Sequence, residues 1–279
     1  MKTAAVFLLL TSTIISADIK VHRDIPYAEA NEERRTLDVF SPALGKDLPV
    51  VVWIHGGGWR EGDKSYVQRK PWLFTERGFV YVPINYRFVP HVTVKQMTGD
   101  VARAIRWVHA HVGDFGGSAK KIFVAGHSAG AHLAALVCTD GRYLKAEGLS
   151  LANVKGCILL DASVYDIPRR LADGGEVPSA TFEAIFGKSL DSQRELSPVL
   201  HIPHNKHIPP FLFLYVASRT DTKTQAEWFS RALAEVDVES TVVACEGKTH
   251  GSLNKDIGRP GDEPTEAVFQ FLEKELKRR

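Results

Sequence analysis

Apolar residues recur along this chain in two rhythms. Short continuous runs, Leu48-Pro49-Val50-Val51-Val52-Trp53-Ile54, Gly78 to Ile84, Lys121-Ile122-Phe123-Val124-Ala125, Val154 to Leu160, Pro210 to Val216 and Glu239 to Ala244, are rich in β-branched and aromatic residues. They have the length and composition of strands buried on both faces. Between them lie stretches with a helical period. Asp100 to His109 is apolar at 101, 104, 105 and 108, a later stretch at Ala226, Phe229, Ala232 and Leu233, and Thr265 to Lys277 closes the chain. Thr36-Leu37-Asp38-Val39-Phe40 alternates like an early antiparallel strand and stops at Ser41-Pro42. Strands alternating with amphipathic helices predict an α/β fold with a mostly parallel central sheet flanked by helices and right-handed crossovers. Residues 18–36 are polar and charged, so the first strand is placed at Thr36. The segment from Asp166 to His207 is irregular and rich in Pro, Gly and charge, and is read as a short lid over the sheet. No repeat, low-complexity run or linker divides 18–279, which is read as one domain.

One junction in this pattern carries chemistry. The run ending at Ala125 passes into the Ala/Leu-rich helical run Ala131 to Val137 through Gly126-His127-Ser128-Ala129-Gly130. A Gly-x-Ser-x-Gly between a strand and a helix is the context of a nucleophile elbow, whose turn is too tight for side chains on either flank of the serine. Upstream, the buried run 48–54 ends in His55-Gly56-Gly57-Gly58-Trp59. Consecutive glycines there let backbone N–H groups approach a ligand, as an oxyanion hole requires. A phosphate cradle does not fit, since no Gly-Lys-Ser/Thr follows and the glycines lack the Gly-x-Gly-x-x-Gly spacing.

A serine hydroxyl needs a base, and the base an orienting carboxylate. Asp221 follows the run ending Tyr215-Val216, and His250 follows the last run within Cys245-Glu246-Gly247-Lys248-Thr249-His250-Gly251. The order Ser, Asp, His assigns Ser128, Asp221 and His250 as the catalytic triad. Asp161, directly after Ile158-Leu159-Leu160, is the alternative acid. Gly57, Gly58 and Ala129 are assigned to the oxyanion hole, with His55 supporting the glycine loop through a hydrogen bond. His127 and His132 are read as structural, because the base in this arrangement arrives from the far loop.

Bulk composition narrows the picture further. The net charge is +2, from 35 basic and 33 acidic side chains, and no basic stripe with interleaved aromatics points to nucleic acid. Met1-Lys2, the apolar Ala4 to Leu10 and Ala17 resemble a secretory signal over residues 1–17, from which export is expected. The stretch is too short for a comfortable membrane span. Cys138, Cys157 and Cys245 lie in apolar runs without metal-ligand spacing. No metal site is visible, and acyl transfer by a serine needs no cofactor.

With the His55 to Trp59 loop, the Gly126 to His132 elbow and Thr249-His250-Gly251-Ser252 in register, the chain resembles the α/β-hydrolase superfamily over residues 35–275. Within it, the chain looks like the compact serine esterases: hormone-sensitive-lipase-like carboxylesterases, feruloyl or acetyl-xylan esterase-like proteins and kynurenine formamidases. The resemblance implies hydrolysis of small-molecule or carbohydrate esters through an acyl-enzyme. The short N-terminal region and lid suggest an open cleft for a small acyl group such as acetyl. The alternatives are an arylformamidase using the same triad and a non-catalytic binding protein on a hydrolase fold.

Overall fold

Residues 50–54, 122–125, 157–160 and 211–216 alternate sides along strands that are buried throughout, and this splits the interior into two apolar layers. Val50, Val52, Ile54, Ile122, Val124, Cys157, Leu159, Phe211 and Phe213 face one layer. Val51, Trp53, Phe123, Ala125, Ile158, Leu160, Leu212 and Leu214 face the other. The computed structural model describes residues 18–29, 33–174, 177–204 and 207–278. The secretory signal expected over residues 1–17 lies outside the described residues.

The strands are β1 (Ile19–Pro26), β2 (Thr36–Pro42), β3 (Leu48–Ile54), β4 (Val80–Ile84), β5 (Gly117–His127), β6 (Gly156–Leu160), β7 (Phe211–Val216) and β8 (Ser240–Cys245). They form one sheet in the order β1-β2-β4-β3-β5-β6-β7-β8. Only the β1/β2 and β2/β4 pairs are antiparallel, and every pair from β4/β3 to β7/β8 is parallel. The mostly parallel sheet expected from the pattern is present. β1, however, is a strand that the polar run 18–36 concealed. It is an edge strand whose residues are almost all exposed, so no alternation marks it.

The helices are α1 (Lys70–Glu76), α2 (Val94–His111), α3 (Ala129–Thr139), α4 (Gly141–Ala146), α5 (Ile167–Asp173), α6 (Ser179–Phe186), α7 (Leu190–Glu195), α8 (Thr220–Ala234), α9 (His250–Lys255) and α10 (Glu263–Lys277). α2, α3 and α8 cover the first layer; α1, α9 and α10 cover the second. Helix α2 begins six residues before the periodic stretch, at a capping box between Thr93 and Gln96. Every residue of α3 is buried, so this helix has no polar face and shows no amphipathic period. The segment read as irregular is a helical lid of α5, α6 and α7, helices too short to display a period. The three cysteines are free and buried, filling apolar positions.

Candidate active site

Ser128 follows the last residue of β5 and precedes α3, with φ 55° and ψ −122°. A non-glycine residue holds such angles only where its surroundings force it. The surroundings here are backbone: a Cβ at position 130 would press into the carbonyl oxygens of Ile54 and His55, and one at 126 into that of Gly130. The two glycines therefore let α3 dock against the exit of β3. The Ser128 N–H donates to the Leu160 carbonyl at 2.9 Å, tying the serine to the end of neighbouring β6.

His250 opens α9 behind its N-cap Thr249, which forms a capping box with Ser252. Its Nε2 lies 3.0 Å from Ser128 Oγ and its Nδ1 2.7 Å from Asp161 Oδ2. The carboxylate accepts from Nδ1–H, which leaves Nε2 as the acceptor for the serine proton. Helix α9 is held at both ends. His127 Nε2 donates to the His250 carbonyl at 2.9 Å, and Lys70 Nζ donates to the Asn254 carbonyl at 2.7 Å. The His250 side chain is 43% exposed whereas that of Asp161 is sealed at 0%, so the imidazole faces the solvent side and the carboxylate sits behind it.

The carboxylate on His250 is thus Asp161 and not Asp221. Asp161 directly follows β6, and its Oδ1 accepts the Val216 N–H of β7 at 3.0 Å, an arrangement that aims Oδ2 across the end of β7 toward His250. Asp221 is already inside the first turn of α8, where Oδ1 accepts the Thr222 N–H at 2.8 Å. Its Oδ2 turns to two guanidinium groups, Arg219 at 3.4 Å and Arg170 of the lid helix α5 at 3.7 Å. Burial by itself would raise the Asp161 pKa. The hydrogen bonds from His250 and Val216 and the charge of Arg219 outweigh it and hold the carboxyl well below the usual range.

Arg219 is the site residue that motif reading missed. Its Nη1 is 2.6 Å from Asp161 Oδ2 and 3.1 Å from His250 Nδ1. An arginine two residues before a candidate acid carries no motif of its own; only the turn between β7 and α8 brings it to the carboxylate of β6. Lys70 was missed for the same reason. It is fully buried on α1, against the face of Trp53 at 4.8 Å, and burial pulls its pKa down to about 7.

The glycine loop lines the same cavity as Ser128 and His250. Gly57 and Gly58 have φ of +127° and +58°, and a Cβ at Gly57 would run into the Glu61 carbonyl. This conformation is open only to glycine there. His55 Nδ1 donates to the Gly56 carbonyl at 2.7 Å, its ring is stacked on Tyr86 at 4.4 Å, and Tyr86 Oη donates to the His55 carbonyl at 2.8 Å. Desolvation lowers the His55 pKa to about 4, so the ring is neutral and serves as a fixed strut. His132, read as structural, is buried and donates from Nε2 to the Leu196 carbonyl at 2.9 Å.

Two cavities meet at Ser128 and His250. One, of about 470 Å³, is walled by Trp59, Val164, Val177, Phe182, Ile185 and Val216, with Gly58 and Ala129 also on its lining. The other, of about 820 Å³, is lined by Arg60, Glu61, Tyr66, Asn254 and Lys255 beside Gly57 and Gly58. The first cavity is the more apolar of the two and the second carries the charged side chains of Arg60, Glu61 and Lys255, a pair that suits the two halves of a mixed substrate. Among the described residues no cluster of His, Cys, Asp and Glu could hold a metal ion, and no helix is long and apolar enough to cross a membrane.

Known proteins resemble this chain in sequence and in fold. An isoprenylcysteine α-carbonyl methylesterase of Arabidopsis thaliana is 27% identical over 84% of this chain and 57% of its own length. A kynurenine formamidase of Danio rerio is 32% identical over 52% of this chain and 46% of its own. The chain spans about half the length of the curated relatives it matches. Among solved structures, inhibited esterase B of Lactobacillus rhamnosis superposes with a TM-score of 0.78 at 19% identity, covering 94% of this chain and 88% of that one. With the sheet order above, that likeness shows the α/β-hydrolase fold. A family model described as BD-FAE matches residues 37–222, most of the sheet together with the serine and the aspartate of the site, and the chain belongs to the BD-FAE family.

Proposed function

We propose that the protein is a serine carboxylic-ester hydrolase working through an acyl-enzyme, with Ser128 as nucleophile, His250 as base and Asp161 as its orienting carboxylate. The observation that carries this reading is the unbroken line from Ser128 Oγ to His250 Nε2 at 3.0 Å and from Nδ1 to Asp161 at 2.7 Å, lying between two cavities. Ser128 Oγ bonds to the ester carbonyl carbon as its proton passes to His250 Nε2, and the carbonyl π pair moves onto oxygen. Backbone N–H groups of Gly57, Gly58 and Ala129 receive that oxyanion, helped by the positive end of α3. Collapse expels the alcohol oxygen, which takes the proton from Nε2. Water then adds to the acyl carbon, giving its proton to Nε2, and the second collapse returns that proton to Ser128 with release of the acid.

The apolar chamber suits the acyl half, and at about 470 Å³ it exceeds what an acetyl group needs, so short aliphatic and aromatic acyl groups are the proposed range. The other chamber, with Arg60, Glu61, Lys255 and an exposed Tyr66 on its wall, suits a hydroxyl-rich alcohol such as a sugar. The test is a rate profile over p-nitrophenyl esters from acetyl to long chain. Ser128→Ala, folded by circular dichroism, loses at least about 10³-fold in kcat; wild-type rates in that variant sink the reading. The likeness to a kynurenine formamidase favours a second reading, hydrolysis of an aryl formamide by the same residues. Turnover of N-formylkynurenine well above that of p-nitrophenyl acetate would select it.

A further inference from the structure

The acyl chamber has a neighbour that the proposed reaction does not use. A third cavity of about 730 Å³ lies on the other side of the lid helix α6, between α6 and the residues leading into α2. Its walls combine apolar surface from Val89, Val92, Val94 and Leu196, on which methylenes can pack, with the charged side chains of Arg60, Lys95 and Glu195. Helix α6 divides its residues between the two spaces: Phe182 lines the acyl chamber, while Ala184 and Phe186 line the outer cavity. Ile185 lines both. It is buried, at 8% exposure. Phe182 and Phe186, which pack on Trp59 with ring centroids 6.3 and 4.9 Å away, anchor the helix on either side of it.

We infer that Ile185 is the specificity-determining partition of this site. Its side chain closes the acyl chamber toward the outer cavity and so sets the longest acyl chain the enzyme accepts. The inference rests on the ester-hydrolase reading above and goes beyond it by naming where acyl length is read. An acyl chain seated with its carbonyl at Ser128 extends into the chamber under α6. A chain too long for the chamber meets Ile185 before it reaches the cavity beyond. Shortening Ile185 joins the two cavities, and the distal methylenes of a longer chain then gain the walls of the outer one. Each buried methylene contributes to transition-state binding, so the change is read in kcat/KM as a function of chain length.

The experiment compares wild type, Ile185→Val, Ile185→Ala and Ile185→Ala/Ala184→Trp on p-nitrophenyl acetate, butyrate, octanoate and laurate, with thermal denaturation to show that each variant is folded. The Ile185→Ala variant raises the octanoate-to-acetate ratio of kcat/KM by about tenfold or more, and Ile185→Val raises it less. Adding Ala184→Trp, which puts bulk at a position lining the outer cavity and not the acyl chamber, returns the ratio toward wild type. An unchanged ratio in folded Ile185→Ala overturns the inference. So does a gain that survives Ala184→Trp, since the new room would then belong to the acyl chamber itself. If Ile185→Ala does not fold, the ratio in Ile185→Val decides by the same criterion. The reading of the site is judged separately by wild-type turnover of acetate and its loss in Ser128→Ala; without that turnover both fall together.

Discussion

At the scale of single residues, the two aspartates near the site have separate duties. Asp161 is tied to His250 and to the end of β7, whereas Asp221 joins Arg219 to Arg170 of the lid. Asp161→Asn disturbs the tautomer and charge that the imidazole relies on, and kcat falls by about 10³ to 10⁴ with the fold intact. Asp221→Asn leaves the triad distances alone, costing less than about tenfold in kcat. It weakens the charge pairing of a buried arginine, so melting drops by the equivalent of about 2 kcal/mol or more. Steady-state rates and melting curves of the two variants check this opposition; a large kcat loss in Asp221→Asn alone would restore it as the acid. Sequence order pointed to Asp221 because its strand comes just before the one that leads to His250. Space favours Asp161 because α8 begins at Thr220 and turns Asp221 away.

At the scale of elements, the site is a junction of strand ends. β3 delivers the glycine loop, β5 the serine, β6 the carboxylate, β7 Arg219 and β8 the histidine, all from the same edge of a parallel sheet. The closest joint is between α3 and the exit of β3, where Gly130 lies against the carbonyls of Ile54 and His55. Neither side of that contact can yield, since both are main chain. Gly130→Ala therefore costs about 3 kcal/mol of stability. It also lowers kcat by moving Ala129 away from Gly57 and Gly58, which calorimetry and rate measurement together reveal. β3, β5, β6 and β7 were legible because burial on both faces demands unbroken apolar runs. β1 and the lid helices were not: an exposed edge strand has no buried side to pattern, and helices of six to eight residues make barely two turns.

At the scale of the whole molecule, burial of ionisable groups sets how stability responds to pH. Desolvation lowers the pKa of His55 and His132 to about 4 and of His127 to about 3. Below pH 6.5 the unfolded chain takes up protons that these rings refuse in the folded state, so stability is lost on acidification from pH 6.5 toward pH 4. The loss at pH 5 is about 2 kcal/mol per histidine. Lys70 acts in the alkaline range. Its folded pKa of about 7 lies below the unfolded value of 10.5, so the unfolded state binds more protons between the two and stability rises with pH there. The gain from pH 7 to pH 9 is about 2 kcal/mol. Urea titrations at pH 5, 7 and 9 show the acid loss in wild type, and Lys70→Met removes the alkaline rise; a rise that persists in that variant assigns it to another group.

What the sequence determined by itself is what is written in local pattern. The buried strands, the helical period of α2, the glycines around Ser128 and the glycine loop after β3 are each dictated by burial or by backbone crowding among near neighbours in the chain. The tertiary structure decided what depends on side chains from different strands meeting in space. It placed Asp161 and not Asp221 on His250, brought Arg219 to that carboxylate, buried Lys70 behind α9 and set Ile185 between two cavities. Those contacts join residues as many as 184 positions apart, the separation of Lys70 and Asn254. No periodicity reports which of two carboxylates a turn will aim at a histidine, because the direction is set by the packing of the elements and not by the residues beside it.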